Sequence, residues 1–509
     1  MNNEEYYFKL SKQIGISYFF SFLAIIFQPL LIIILTRALS IEEFGIYSLL
    51  VITISILTNL LRCGVESYII TKIPGLEEEK RIVTIITILF FLSIILIICG
   101  LLLFIFKSFI INILNINNYA YIWNIVIPLI MFTTFFDIIN YYLISIKKIF
   151  ISSFVKFLIQ CLWIIILFSF FLMTNTFSLK IVFTIWLFSV IFLLGISPFL
   201  LKHEIYYFVK NSLKIDFRQL KRILEFGLPL IIVAAFTLMV EYSDRFLINY
   251  FLDKTKVALY SLASSLVGFI IIAAYILQGV IQPYFNEKWN SKQDPTLLFN
   301  ALIKYTMICI LPAIIGMFIL RKEIIILLSS PEYIPAAPLV VILLSYPIFN
   351  VLSLIFTHTM YLRDMVKQLL IINFIAIAIN IILNLIFIPK IGVAAAAYST
   401  IFSTFLVFIS LVFYRPKKIA FQWNYLKIFR ILLASISMGI IIYPIHPSLY
   451  WSKILVIALG AVIYTIFLFI FKVFTKEEKE MIIHIYKNII KKNIVLPYTS
   501  YLPFYKQKK

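Results

Sequence analysis

Charged side chains are scarce in this chain: Asp, Glu, Lys and Arg make up 13% of its 509 residues, about half the share of an ordinary soluble domain. That deficit excludes a soluble globular protein. Glycine is scarce as well, at 13 residues, and no Gly-rich phosphate-binding loop occurs. An ATP site is therefore excluded, so active transport would draw on an ion gradient, the membrane potential or downstream consumption of product. The four cysteines, Cys63, Cys99, Cys161 and Cys309, lie in or beside apolar runs without CxxC or metal-ligand spacing. They read as reduced packing residues, and neither a cofactor nor a metal is expected. No nucleophile triad appears, and no connection is long enough for a soluble catalytic domain. The working machinery has to lie among helices.

What is present is apolar sequence, 63% hydrophobic with a mean hydropathy of +1.04. The abundance of Ile, Phe, Tyr, Lys and Asn reads partly as an AT-rich coding bias, so the 30 tyrosines argue for no particular chemistry. Windows that can cross about 30 Å of hydrocarbon predict an all-α polytopic membrane protein with 14 spans, near 16–37, 44–70, 82–106, 120–146, 149–173, 179–201, 226–251, 257–283, 299–320, 335–357, 368–388, 393–414, 427–445 and 452–474. The first run, ISYFFSFLAIIFQPLLIIILTR, is longer than a signal-peptide core and lacks a cleavage site. It is expected to remain as the first span.

Cations are unequally shared between the two sides. The odd-numbered connections hold only Arg37, Lys107, Lys180, Lys254, Lys256, Arg321, Lys322, Lys390 and Lys453, and Arg245 lies inside a span. The other Lys and Arg fall on the side of the two termini, which the positive-inside rule makes cytoplasmic. The net charge of +21 is then mostly a topological signal with a contribution toward anionic lipid, and nucleic acid is not an expected partner. Residues 202–224 form a basic cytoplasmic linker. In the 475–509 tail, Ile482, Ile485, Tyr486, Ile489 and Ile490 share a stripe opposite lysines, the pattern of an interfacial amphipathic helix or a partner-docking one.

A repeat appears at an offset of 213 residues. LTRALSIEEFGIYSLL (35–50) aligns with INYFLDKTKVALYSLA (248–263), pairing Ser40 with Asp253, Gly45 with Ala258, Tyr47 with Tyr260 and Ser48 with Ser261. Ser40 and Asp253 are each placed to cap the incoming helix. Six spans apart, the copies have the same orientation, so the halves are expected to relate by an axis along the membrane normal. The lobes are 1–201 and 225–414, followed by extra spans in 427–474.

Three segments together carry a family resemblance: LTRALSIEEFGIYSLL, FGLPL followed by EYSDRFLINYFLDKTKVALYSLASSL, and NIILNLIFIPKIGVAAAAYST. The chain resembles the Wzx-type polysaccharide exporters, lipid-linked oligosaccharide flippases of the multidrug/oligosaccharidyl-lipid/polysaccharide exporter superfamily. The resemblance covers spans 1–12. It implies a V-shaped, MATE-like pair of six-helix lobes working by alternating access. The implied cargo is an undecaprenyl-diphosphate-linked repeat unit turned to the outer leaflet of the bacterial inner (plasma) membrane, with polymerase or assembly proteins as possible partners. The chain departs from the commonest pattern in its fourteen spans and in IGVAAAA where IGxxGAA is usual. The extra pair resembles that of the lipid II flippases.

Ionisable residues inside hydrocarbon cost about 2.5–3.5 kcal/mol each on insertion scales and face a partner or a water-filled cavity. In span 7, Glu241, Asp244 and Arg245 stand at i, i+3 and i+4, so Glu241 is expected to pair with Arg245. Arg245 then either meets a diphosphate or forms a self-neutralised packing pair. The resemblance puts Asp244 and Arg245 at a recurring family position. In span 2, Arg62 and Glu66 form another i, i+4 pair, either receiving the diphosphate or snorkelling. Asp137, in span 4, has no local partner. Arg37 reads as an interface anchor or a release-side diphosphate contact, and Lys156, His358 and Arg363 complete the candidates. Asn373, Asn380 and Asn384 share a face of span 11, as sugar ligands or as helix glue. Two rivals stay open: an ion-coupled antiporter with buried acids, and a membrane polymerase or glycosyltransferase, against which the short external connections argue.

Overall fold

The computed structural model describes residues 19–20, 23–24, 27–174, 177–211, 217–291, 293–363, 365–414, 425–445, 449–475 and 478. Among them there is no β-strand. The helices are α1 (Phe27–Ala38), α2 (Ile41–Leu61), α3 (Val65–Lys72), α4 (Glu78–Ile105), α5 (Lys107–Leu114), α6 (Trp123–Ser145), α7 (Ile149–Met173), α8 (Leu179–Leu200), α9 (Lys202–Lys210), α10 (Phe217–Phe251), α11 (Lys254–Asn290), α12 (Thr296–Ile319), α13 (Arg321–Leu328), α14 (Ala337–Leu343), α15 (Tyr346–Tyr361), α16 (Val366–Ile391), α17 (Ala394–Phe413), α18 (Tyr425–Ile442) and α19 (Tyr450–Ile470). Eleven described helices are long and apolar enough to cross a membrane, or twelve if the segment from Pro331 through α15, bent by 45°, is one span. The other two predicted spans fall on α1, with 12 described residues, and on α10, with 35. Ile97, Leu101, Phe104 and Ile105 of α4 and Leu455, Val462 and Ile466 of α19 are exposed, as helices facing lipid require. This is a multi-pass membrane protein.

The repeat's two caps form as the sequence expects. Ser40 Oγ accepts from the Glu43 N–H at 3.2 Å, and Glu43 reaches back to the Ser40 N–H at 3.1 Å, a reciprocal capping box that starts α2. Asp253 Oδ1 accepts from the Lys256 N–H at 2.8 Å at the start of α11. The paired positions also touch, since a Cβ on Gly45 would lie 2.1 Å from the Lys254 carbonyl oxygen and 3.4 Å from the Ala258 nitrogen.

The predicted 44–70 span is corrected: its helix stops at Leu61. Cys63 (φ 55°) and Gly64 (φ 68°) take left-handed conformations, and α3 restarts at Val65. The break accommodates a backbone crossing, for a Cβ on Gly64 would lie 2.4 Å from the Gly227 oxygen, and one on Gly227 would lie 2.3 Å from the Cys63 oxygen. Only hydrogen atoms fit there.

Packing groups the chain into two units that do not follow chain order. One comprises Met1–Ser261, Leu328–Tyr333 and Ile381–Ala396; the other Leu262–Leu327, Ile334–Asn380 and Ala397–Lys509. The first has a buried core of Ile69, Ile85, Ile88, Leu92, Ile138 and Tyr142. In the second, the extra helices α18 and α19 pack on α12. A Cβ on Gly439 would meet Ile315 and Ile319 at 2.8 Å, and Tyr464 donates to the Ile308 carbonyl at 2.8 Å. All four cysteines are free.

Just beyond α19, Glu478 folds back onto α12. Lys304 Nζ lies 2.6 Å from its carboxylate, Tyr305 donates to it at 2.7 Å, and the Thr475 N–H donates at 2.8 Å. Burial works against its charged form, yet the hydrogen bonds from Lys304, Thr475 and Tyr305 prevail and hold the carboxyl below its ordinary value. The amphipathic stripe predicted from Ile482 to Ile490 lies outside the described residues.

Two stability predictions result. Gly64→Ala or Gly227→Ala is expected to lose about 1–3 kcal/mol by overpacking, read as a lower thermal midpoint in detergent; an unchanged midpoint would refute the crossing. A depressed carboxylate contributes stability in full above its unfolded-state value of about 4.3 and loses it as pH falls through the folded value. Glu478→Ala should therefore cost about 3 kcal/mol at pH 7 for breaking a buried pair. In calorimetry its gap to wild type should narrow below about pH 4.

Candidate functional site

Because α2 ends at Leu61, Arg62 becomes its C-cap residue, and its side chain crosses to α6. The Arg62 side chain is only 11% exposed. Its NH1 donates to Asp137 Oδ2 and to Tyr141 Oη, both at 3.2 Å, and the guanidinium lies 5.6 Å from the centroid of the Tyr141 ring. Its NH2 donates to Asn59 Oδ1. The buried Nε has no hydrogen-bond partner. The expected Arg62–Glu66 pair is thereby corrected: the left-handed turn separates the two residues, and the carboxylate that meets Arg62 is Asp137, 75 positions away. Glu66 lies in the first turn of α3, with a buried Oε2 that has no hydrogen-bond partner among the described residues. Lys156, exposed on α7, acts on Asp137 electrostatically.

A second buried polar group lies in the same unit. Asp244, 1% exposed, accepts from Tyr260 Oη and from Asn384 Nδ2, each at 2.6 Å. The phenol and the amide that donate here are both neutral. The neighbouring Arg245 donates to the main-chain carbonyl of Glu241 at 2.7 Å, and its guanidinium lies 5.3 Å from the Tyr260 ring and 5.8 Å from that of Tyr242. The expected carboxylate pair between Glu241 and Arg245 is corrected accordingly, since the Glu241 side chain is exposed and its carbonyl takes the bond.

The remaining candidates are dispersed. Arg37 is exposed at the end of α1, and its Nε donates to the Ser329 carbonyl at 3.0 Å. Arg363, exposed, donates to the Tyr414 carbonyl at 3.0 Å, joining the ends of α15 and α17. His358 lines a cavity of about 270 Å3 in the second unit with Tyr275, Gln278, Phe285, Thr357 and Tyr361. Its imidazole centroid is 6.0 Å from that of Phe285. Asn380 donates to Ser403 at 3.3 Å, as helix glue does.

Sequence reasoning missed Tyr141, discounted along with the other tyrosines as coding bias, missed Asn59, and read Tyr260 only as a repeat position. Their helical spacing was a usable signal: Asn59 is i−3 to Arg62, and Tyr141 is i+4 to Asp137. The arrangement offers a near-buried cation beside a carboxylate in one place, and in the other a buried acid with an aromatic-stacked cation next to it.

The sequence pattern of the polysaccharide biosynthesis protein family matches residues 34–338, more than half of the chain. An uncharacterized membrane protein of Methanocaldococcus jannaschii is 25% identical over 235 residues, 45% of this chain and 46% of that protein. The match thus spans about half of that curated relative. Among solved structures, the fold is similar to lipid II flippase MurJ in an inward closed conformation, with a TM-score of 0.70 and 17% identity over 89% of this chain and 98% of that one. It is also similar to an inward-facing multidrug resistance MATE family transporter of the MOP superfamily, with a TM-score of 0.60 and 13% identity over 80% and 94%. The all-helical fold stands among the described residues, as does the resemblance to polysaccharide-biosynthesis proteins.

If the Arg62–Asp137 pair is the coupled unit the geometry shows, Arg62→Ala alone should destabilise by about 1–3 kcal/mol, between the values for exposed and buried pairs, because it strands a carboxylate that is 35% exposed. Asp137→Asn in the same chain should recover at least about 1 kcal/mol of that loss. Strict additivity of the two midpoint shifts would refute the pairing.

Proposed function

Because the chain belongs to the polysaccharide biosynthesis protein family, we propose that it is a transporter, not an enzyme. Its cargo is an undecaprenyl-diphosphate-linked oligosaccharide repeat unit, turned from the inner to the outer leaflet of the bacterial plasma membrane by alternating access. Both termini are cytoplasmic in this reading, and the enzymes that polymerise the delivered unit are its functional partners. Arg62 carries the proposal. Its guanidinium engages one oxygen of Asp137 through a single nitrogen and keeps a buried Nε without a partner, and a diphosphate offers the paired oxygens that a guanidinium fork accepts. Arg245, held to a carbonyl and stacked on tyrosines, forms no ion pair among the described residues and supports the same cargo class.

Asp244 favours a second reading, an ion-coupled antiporter. A buried carboxylate met by Tyr260 and Asn384 is suited to take up a cation or proton, and such a step would equally drive a flippase.

Deleting the gene and assaying lipid-linked glycan in each leaflet separates these readings. Inner-leaflet build-up of complete repeat units is expected, rescued by the wild-type chain. Arg62→Lys at normal expression should transport roughly tenfold less, because the ammonium cannot supply the paired hydrogen bonds. Unchanged glycan with altered sensitivity to toxic cations would establish the antiporter instead. Outer-leaflet build-up of unpolymerised units would point to a polymerase.

A further inference from the structure

We propose that the ends of α7, α8 and α9 near Lys148 and Lys202 form a binding site for an anionic membrane phospholipid, with its phosphate against the lysines and its acyl chains beside Phe199. The site is independent of the transported cargo. It begins with α9, nine residues that follow α8 after the buried Leu201. Its inward side is fastened by an unusual group: Glu204 is 2% exposed, and Tyr142 of α6 donates to its Oε1 at 3.1 Å. Arg81 of α4 also acts on Tyr142, and His203 lies 3.7 Å from the Glu78 carboxylate. A carboxylate is not buried on an otherwise solvated helix without holding that helix in one orientation.

The orientation so fixed turns Ile205, Tyr206 and Val209 outward beside Lys202, His203 and Lys210. Apolar and cationic residues interleaved on one exposed face suit the plane of lipid headgroups. The Lys210 ammonium lies 5.6 Å from the Tyr206 ring centroid, which braces that face. Next to it an open cleft of about 390 Å3 is lined by Lys148, Phe199, Leu200, Lys202, His203 and Tyr206. Its lining includes two ammonium groups, an imidazole and a phenol, and no carboxylate. Phe199, at the end of a membrane-spanning helix, is 77% exposed.

A soluble anion would use the cations and leave Phe199 unexplained. A zwitterionic lipid would gain little from two lysines. An anionic glycerophospholipid uses both features, and basic pockets between spans recognise such headgroups.

The test is native mass spectrometry of the full chain exchanged into detergent with equal phosphatidylglycerol and phosphatidylcholine. Wild type is expected to retain phosphatidylglycerol. Lys148→Ala/Lys202→Ala should lose it roughly tenfold or more. Lys80→Ala/Lys221→Ala removes the same charge at exposed positions and should retain it as wild type does. Equal loss in both double variants would overturn the proposal in favour of diffuse attraction. Displacement by inorganic phosphate at equal concentration would overturn it in favour of a bare-anion site, and preferential retention of undecaprenyl diphosphate would reassign the cleft to cargo.

Discussion

Two glycines that meet backbone to backbone set the geometry on which the first unit depends. Gly64 and Gly227 approach so closely that a methyl group on either would overlap a main-chain oxygen. The crossing goes with the left-handed turn at Cys63–Gly64, and that turn ends α2 one residue before Arg62. Had the helix continued, Glu66 would stand one turn beyond Arg62 and the two charges would cancel within a single span. The break instead sends the guanidinium across to α6, where Asp137, Tyr141 and Asn59 hold it without exhausting its hydrogen-bonding capacity.

Hydrocarbon tolerates an ion only when something nearby answers its charge or its hydrogen bonds, and this chain meets that requirement in three ways. Arg62 and Asp137 pair between helices. Asp244 is met by the hydroxyl of Tyr260 and the amide of Asn384, so its charge is not neutralised by those bonds. Lys304 is closed off by Glu478, with Tyr305 and the Thr475 N–H completing the shell. The last is a fastening that leaves little capacity over. The first keeps a buried Arg62 Nε without a hydrogen-bond partner, and the second places a buried acid against a phenol and an amide; function is sought there for that reason.

Much of the fold was legible before any coordinates. The apolar windows located the helices because the spacing between spans is a local property, and the caps at Ser40 and Asp253 could be read because a cap needs only its own first turn. The aligned repeat even placed Gly45 opposite Ala258, which touch. The candidate site was legible only in part. Arg62, Asp137, Asp244 and Arg245 were singled out, yet their partners were assigned along single helices: Glu66 for Arg62, Glu241 for Arg245 and none for Asp137. The structure gives Asp137 to Arg62 and a main-chain carbonyl to Arg245. Tyr141 escaped notice, and Tyr260 was read only as a repeat position, because tyrosine is so common in this chain that its composition hides the two that matter.

The sequence by itself determined the class of the molecule: too few charges for water, apolar runs long enough for lipid, cations gathered on alternate connections, and capping residues where helices begin. Each of these is a property of composition or of neighbours within a turn or two. Only the tertiary structure decided which charge answers which, because α-helical periodicity proposes partners four residues away and packing brought together residues 75 and 140 positions apart. It also decided that a span ends at Leu61, since that ending follows from a backbone contact with Gly227 that no local pattern encodes.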